Sequence, residues 1–219
     1  MTLLLFERPT DPEPSRTIEL DPVSNKTYHY WHVFIPGIGP GQVYAWRADG
    51  PHNPGLGLRF NPEKVLVDPY AQAVANWQNY SRQAAIDPGD NCAKALRGVV
   101  VYMPTYEWDD DVPLRRSYSK TVIYEMHVGG FTRNPNSGVA AEQRGTFAGV
   151  VEKIPYLKQL GVTAVELMPV QQFDEQDAAD GRTNYWGYST MAFFSPHAAY
   201  SSDQTPQGPV NEFRDMVKA

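Results

Sequence analysis

With 219 residues and a net charge of −6, the chain has room for one large domain or two smaller ones and lacks the basic surplus of a nucleic-acid binder. Its 42% hydrophobic and 20% charged residues describe an ordinary globular protein, and no apolar run approaches the ~18 residues of a membrane span. The single cysteine, Cys92, excludes an internal disulfide framework and fits a reducing compartment, here the cytoplasm.

Taken in chain order, the first 110 residues read as mostly β. Leu3-Leu4-Leu5-Phe6 is too short for a signal-peptide core and has no basic flank. Residues 27–35 (TYHYWHVFI) are β-branched and aromatic and end at Pro36-Gly37, which predicts a strand. Residues 42–48 (QVYAWRA) predict a second, with the glycine-rich stretch 37–41 as the connection between them. That stretch is no dinucleotide loop, because Pro40 interrupts it and no helix follows. Residues 64–67 and 98–103 are further strand candidates, and short strands between turn signals predict a β-sandwich. Cys92 has no nearby His and reads as structural. Residues 104–119 hold Asp109-Asp110-Asp111, two prolines and two arginines, and read as a linker with a solvated acidic cluster rather than a cation site.

From Lys120 the pattern changes. Residues 121–128 (TVIYEMHV) predict a strand. Phe147, Val150, Val151, Ile154, Leu157 and Leu160 fall at helical spacing, with Pro155 bending or ending the regular helix and Gly161 placed just past its end. Residues 162–168 predict a strand buried on both faces, and 209–218 the start of another helix. Strand, helix, strand is a βαβ unit with parallel neighbours. The segments divide the chain into a β module over 1–110 and an α/β region over 118–219.

The stretch Asn184-Tyr185-Trp186-Gly187-Tyr188 follows the apolar run Ala164-Val165-Glu166-Leu167-Met168-Pro169. An apolar strand leading into an aromatic loop is what the mouth of a (β/α) barrel presents to sugars, because aromatic faces suit the apolar C–H faces of pyranose rings. Glu125 and Glu166 lie mid-strand, where membership of a buried polar network outweighs a catalytic role. Asp174, Glu175, Asp177 and Asp180 read as a solvated loop. His127 reads as a satisfied histidine at a strand end rather than a sugar ligand or proton shuttle. His197 is open between roles, and His29, His32 and His52 read as structural. Trp31, Trp46 and Trp77 could stack on sugar rings, with core packing the preferred reading. Nothing calls for a metal or cofactor.

Tyr124-Glu125-Met126-His127-Val128-Gly129-Gly130-Phe131-Thr132, Gly145-Thr146-Phe147, residues 160–170 (LGVTAVELMPV), Asn184-Tyr185-Trp186-Gly187-Tyr188 and Phe194-Ser195-Pro196 occur in that order. Upstream stand residues 44–51 (YAWRADGP), Arg59-Phe60-Asn61-Pro62 and Asp68-Pro69-Tyr70-Ala71. Together they closely resemble the isoamylase-type glycogen debranching enzymes of the α-amylase superfamily. The resemblance implies a multi-domain architecture, an immunoglobulin-like glucan-binding β-sandwich followed by a TIM (β/α)8 barrel, of which this chain would hold only the first units. It implies hydrolysis of α-1,6 branch linkages in glycogen or another branched α-glucan, with retention. The family's two carboxylates lie on later strands, so no catalytic residue can be carried onto this sequence. The chain is expected to be the middle of such an enzyme, cut at both ends. At the position of Tyr188 the superfamily has a tyrosine that stacks on the sugar ring before the scissile bond. Tyr185 and Trp186 are weaker substrate-binding candidates. The alternatives are a non-catalytic α-glucan-binding protein, an inactive remnant, or part of a related branching or trehalose-releasing enzyme.

Overall fold

A computed structural model describes residues 1–103 and 106–219 and resolves them into two compact units, Met1–Tyr102 and Met103–Ala219. Pro104 and Thr105, part of the expected linker, lie outside the described residues.

In the first unit the frame is a five-stranded antiparallel sheet. Its strands are β1 (Thr2–Phe6), β2 (Arg16–Glu19), β5 (Val43–Arg47), β8 (Ala73–Ala75) and β9 (Arg97–Val99), in the order β2-β1-β5-β9-β8. Two minimal hairpins flank it in sequence, β3 (Lys26–Thr27) with β4 (Tyr30–Trp31), and β6 (His52–Asn53) with β7 (Leu58–Arg59). Strand alternation sorts the side chains. Leu3 and Leu5 sit opposite Trp46 and Tyr44 on one face, while Leu4 and Phe6 sit opposite Ala45 and Val43 on the other. Trp31, Val33, Ile35 and Ile38 pack over the first face with Leu3, Leu5 and Leu20.

Several expectations need correction here. The apolar quartet at residues 3–6 is the central strand β1, and β2 and β8 had no forecast. The strand expected over 27–35 is only the β3–β4 hairpin followed by unpaired chain, because Tyr28 turns the backbone at φ 55°. The stretch 37–41 is therefore a turn into β5 rather than a link between two long strands. Residues 64–67 contribute one isolated bridge, Trp46 to Leu66. Short helix α1 (Arg82–Ile86) starts where the Ser81 hydroxyl accepts from Ala84 N–H. His32 bonds Thr27 and His52 bonds the Phe60 carbonyl, both at the surface. Cys92 is buried, and burial raises its thiol, as a structural cysteine requires.

The other face closes on a buried cation. Arg97 is fully buried with its guanidinium 3.7 Å above the Phe6 ring. It donates to the carbonyls of Pro9, Asp11 and Cys92, fixing the loop after β1 against β9. A charge removed from water without a carboxylate partner is tolerable only when such acceptors satisfy it. We predict that Arg97→Met, which fills the space but donates nothing to the three carbonyls that Arg97 satisfies, costs this unit more than about 2 kcal/mol. Chemical denaturation of the variant checks it.

In the second unit β10 (Ile123–Met126) and β11 (Ala164–Leu167) form a parallel pair, joined by α2 (Val128–Arg133), α3 (Phe147–Glu152) and α4 (Ile154–Leu160). The helical stripe is thus split at Lys153. Pro155 opens α4, where its missing N–H costs nothing, and Gly161 ends it at φ 89°. β12 (Gln171–Phe173) pairs antiparallel with β13 (Thr190–Pro196), and α5 (Gly208–Lys218) closes the chain. Met126, Val128, Phe147, Val150, Leu157, Phe173 and Tyr200 make the core.

Met126 and Leu167 point into that core, so Glu125 and Glu166, side by side in register, lie on the opposite face. Both are exposed, not members of a buried network, and Ile123 beside them is 62% exposed. The expected two-sided burial of β11 also fails, since Val165 is exposed. The physical reason is that the described residues supply only one neighbouring strand and one covering layer. Asp109, in the acidic run, pairs with Lys218 of α5 at 2.8 Å.

A buried carboxylate anchors α5. Glu212 accepts from Ala148 N–H at the start of α3, from Ser202 N–H and Asp203 N–H, and from the hydroxyls of Ser201 and Ser202. Burial alone would raise this carboxyl, and the hydrogen bonds hold it below its ordinary value. Glu212→Gln turns one acceptor into a donor facing donors. It should cost about 2 kcal/mol and loosen α5, seen as faster amide exchange there than elsewhere in the unit.

Candidate substrate-binding site

The candidate site lies just beyond the C-terminal ends of β10 and β11, where parallel strands usually carry function. Two segments meet there. One is His127 and the Gly129-Gly130 start of α2, directly after β10. The other is the loop between β12 and β13, residues 174–189.

The loop is braced from inside. Asn184 donates its side-chain amide to the Asp174 carbonyl (3.1 Å) and accepts from Gly187 N–H (3.2 Å), and its own N–H donates to the Glu175 carbonyl. Ser189 bonds the Asp177 carboxylate. Gly187 has φ 83°, and a Cβ there would press on Phe173 at 3.0 Å. The glycine therefore lets the chain turn against the core and project Tyr188 outward.

The three aromatic candidates differ in setting. Tyr188 is 72% exposed, Trp186 58% and Tyr185 47%. Tyr185 lies flat on His127, ring centroids 4.1 Å apart and planes 8° apart, and meets Trp186 edge-on at 5.9 Å. The structure thus seats Tyr185 on the imidazole with Trp186 edge-on to it, while Tyr188 is the most open of the three rings.

His127 is fully bonded. Its Nδ1 accepts from Gly130 N–H (2.9 Å), so Nε2 carries the proton and donates to the Tyr185 carbonyl at 2.7 Å. The Tyr200 hydroxyl lies 3.0 Å from the same Nε2. Burial holds the Tyr200 phenol well above its usual range, so it stays protonated.

Behind this layer His197 is 1% exposed, stacked on Phe173 at 3.9 Å and edge-on to Tyr200 at 4.6 Å. Its Nε2 lies 3.1 Å from Glu175 Oε1, and its Nδ1 has no hydrogen-bond partner. The acidic loop is therefore not simply solvated. Asp174 is buried, Glu175 pairs with His197 and Asp177 bonds Ser189; only Asp180 is exposed without such a bond. Sequence reading missed the Glu175–His197 pair and Tyr200. Its available signal was Pro196-His197 followed closely by Tyr200 in an apolar segment.

Among the described residues no helix is long and apolar enough to cross a membrane. In the first unit a groove of about 550 Å³ runs past Trp31, Phe34, Tyr44, Trp46 and Tyr70. Trp31 and Trp46 thus combine a core face with a partly open one, whereas Trp77 is outside this groove.

The pair has a pH signature. Burial pushes the His197 ring below its ordinary 6.5, with Glu175 opposing. The hydrogen bond from His197 holds Glu175 below its ordinary 4.5, with burial opposing. As pH falls, the unfolded chain takes up protons that the folded chain refuses, so this stability is complete above 6.5 and is lost on acidification. His197→Phe, which keeps a ring on Phe173, should flatten the fall in melting temperature between about pH 7 and about pH 5. Melts of both proteins across that range check it.

Residues 1–71 match carbohydrate-binding module 48, the isoamylase N-terminal domain, and residues 116–207 match the α-amylase catalytic domain. The chain is 40% identical to isoamylase 1, chloroplastic, of Oryza sativa subsp. japonica, covering 94% of this chain and 26% of that protein. It is also 40% identical to the glycogen debranching enzyme of Serratia proteamaculans, covering 94% and 32%. Among solved structures, a pullulanase of Anoxybacillus sp. complexed with maltotriose superposes with TM-score 0.68 at 25% identity, over 99% of this chain and 29% of that one. The chain thus spans about a quarter to a third of the length of these relatives. A sandwich module of the isoamylase type followed by α-amylase catalytic-domain sequence places the chain in the isoamylase-type group of the α-amylase superfamily.

Proposed function

We propose that the protein carrying this chain hydrolyses α-1,6 branch linkages of glycogen or a related α-glucan, and that Tyr188, Trp186 and Tyr185 form part of its sugar-facing wall. The observation that carries this reading is the exposed aromatic rim at the C-terminal ends of β10 and β11, on α-amylase catalytic-domain sequence. Relatives named isoamylase and glycogen debranching enzyme support the branch-point substrate, and the pullulanase complexed with maltotriose supports a linear α-glucan arm. The ring of Tyr188 buries apolar sugar surface and fixes the orientation of the sugar before the reacting bond. A compartment that keeps thiols reduced suits the single buried Cys92, and we place the protein in the cytoplasm.

Retaining hydrolysis needs two carboxyl groups about 5–5.5 Å apart across the scissile bond. The family resemblance assigns neither to this sequence, and Glu125 and Glu166 stand mid-strand, short of the strand ends where the loop lies. In our reading these 219 residues bind glucan and contribute one wall of the site, without cleaving. Incubated with glycogen, the 219-residue chain should release no reducing ends, and release by the purified chain would contradict this. The product of the complete open reading frame should release linear maltooligosaccharides, and Tyr188→Ala in it should lower kcat/KM by about tenfold or more. A complete product that leaves glycogen untouched would favour the second reading, a non-catalytic glucan-binding protein, for which the aromatic groove on the first unit is the supporting observation.

A further inference from the structure

We propose that His127 is a positioning residue for sugar binding, tying the aromatic loop 184–188 to the C-terminal end of β10; the proposal rests on the reading that this loop faces glucan. Of the loop's other polar bonds described above, those of Asn184 and Ser189 close within the β12–β13 hairpin itself, and that of Glu175 goes to His197 just past β13. They shape the loop without aiming it. His127 comes from a different strand and grips Tyr185 twice, through the 2.7 Å bond from Nε2 to its carbonyl and through the 4.1 Å ring stack. Tyr200 adds an edge-on ring at 5.6 Å.

The approach is built in at both ends. Gly130 N–H fixes Nδ1 as the acceptor, which leaves the Nε2 proton for the loop. A Cβ at Gly130 would collide with the Tyr185 hydroxyl, and one at Gly129 would press on His127, Arg133 and Tyr200 at 3.1–3.2 Å. Helix propensity argues against adjacent glycines in α2; the close approach of Tyr185 is the physical reason at Gly130, and the packing of His127, Arg133 and Tyr200 is the reason at Gly129. Trp186 and Tyr188 follow Tyr185 in the chain and inherit its placement.

Two substitutions separate this role from simple helix capping. His127→Asn keeps a side-chain oxygen to cap Gly130 N–H but is too short to reach the Tyr185 carbonyl. His127→Gln places an amide N–H about as far out as Nε2 but caps poorly. Amide exchange and maltotetraose binding are measured on the 219-residue chain. In His127→Asn, α2 exchange should stay as in the wild type while exchange at residues 184–188 rises about tenfold and affinity falls about fivefold or more. His127→Gln should regain loop protection and much of the affinity. Gly130→Ala, which leaves the imidazole in place, should free the same loop, and it supplies the test if the Asn variant does not fold. Unchanged loop exchange in both His127→Asn and Gly130→Ala overturns the tie. Loop release without loss of affinity overturns the role in sugar binding. A wild-type chain that does not bind maltotetraose overturns the glucan-facing reading, and with it the sugar-positioning role, whatever the exchange shows.

Discussion

The candidate site depends on one close approach, the Tyr185 ring lying flat on the His127 imidazole. A Cβ at Gly130 would meet the Tyr185 hydroxyl, so the missing side chain there leaves room for the stack. The contact joins the end of a parallel strand to a hairpin loop distant in sequence. It also couples three levels: an acceptor nitrogen set by a helix N–H, a carbonyl held by the opposite ring nitrogen, and an aromatic rim that starts at the residue so held. Stacking and hydrogen bonding act here on the same pair of residues, the ring stack and the Nε2-to-carbonyl bond together fixing Tyr185 on His127.

Beneath this contact the rings of His127, Tyr200, His197 and Phe173 form a continuous series. Their polar edges are the expensive part, because a buried imidazole or phenol must be bonded or neutral. The protein bonds His197 to Glu175 and keeps Tyr200 within reach of His127. One ring nitrogen of His197 remains unbonded in the interior, which favours its neutral form. The loop is thus bonded at its base and open at its rim. The opposite face of β10 and β11, with Glu125, Glu166 and Ile123, is open as well.

Elements with local signals were legible in the sequence. Gly161 marked the end of α4 and the apolar run 162–168 marked β11, because caps and periodicity act within a few residues, whereas Pro155, expected to bend or end one helix, opens a second. The motif order gave the α-amylase architecture across both units. What escaped was decided by distant partners. Residues 3–6 form a central strand only because β2 and β5 lie on either side, whereas residues 27–35, with a stronger β composition, contribute only to the two-residue β3–β4 hairpin. Glu175 looked solvated because its companion, His197, arrives from beyond β13. The exposure of Glu125 and Glu166 reflects which strands surround them, which no local pattern encodes. Of the candidate site, the aromatic run 184–188 and a satisfied histidine at the end of β10 were legible as sequence, and the stacking of Tyr185 on that imidazole was not.

The central claim is that the loop after β11 presents a glucan-binding face. A titration of the 219-residue chain with maltotetraose, followed by nuclear magnetic resonance of the Trp186 indole and the Tyr185 and Tyr188 rings, tests it directly. The account predicts saturable shifts at these three residues, extending to His127. Shifts confined to the groove past Trp31 and Trp46, with none at Tyr188, would contradict it.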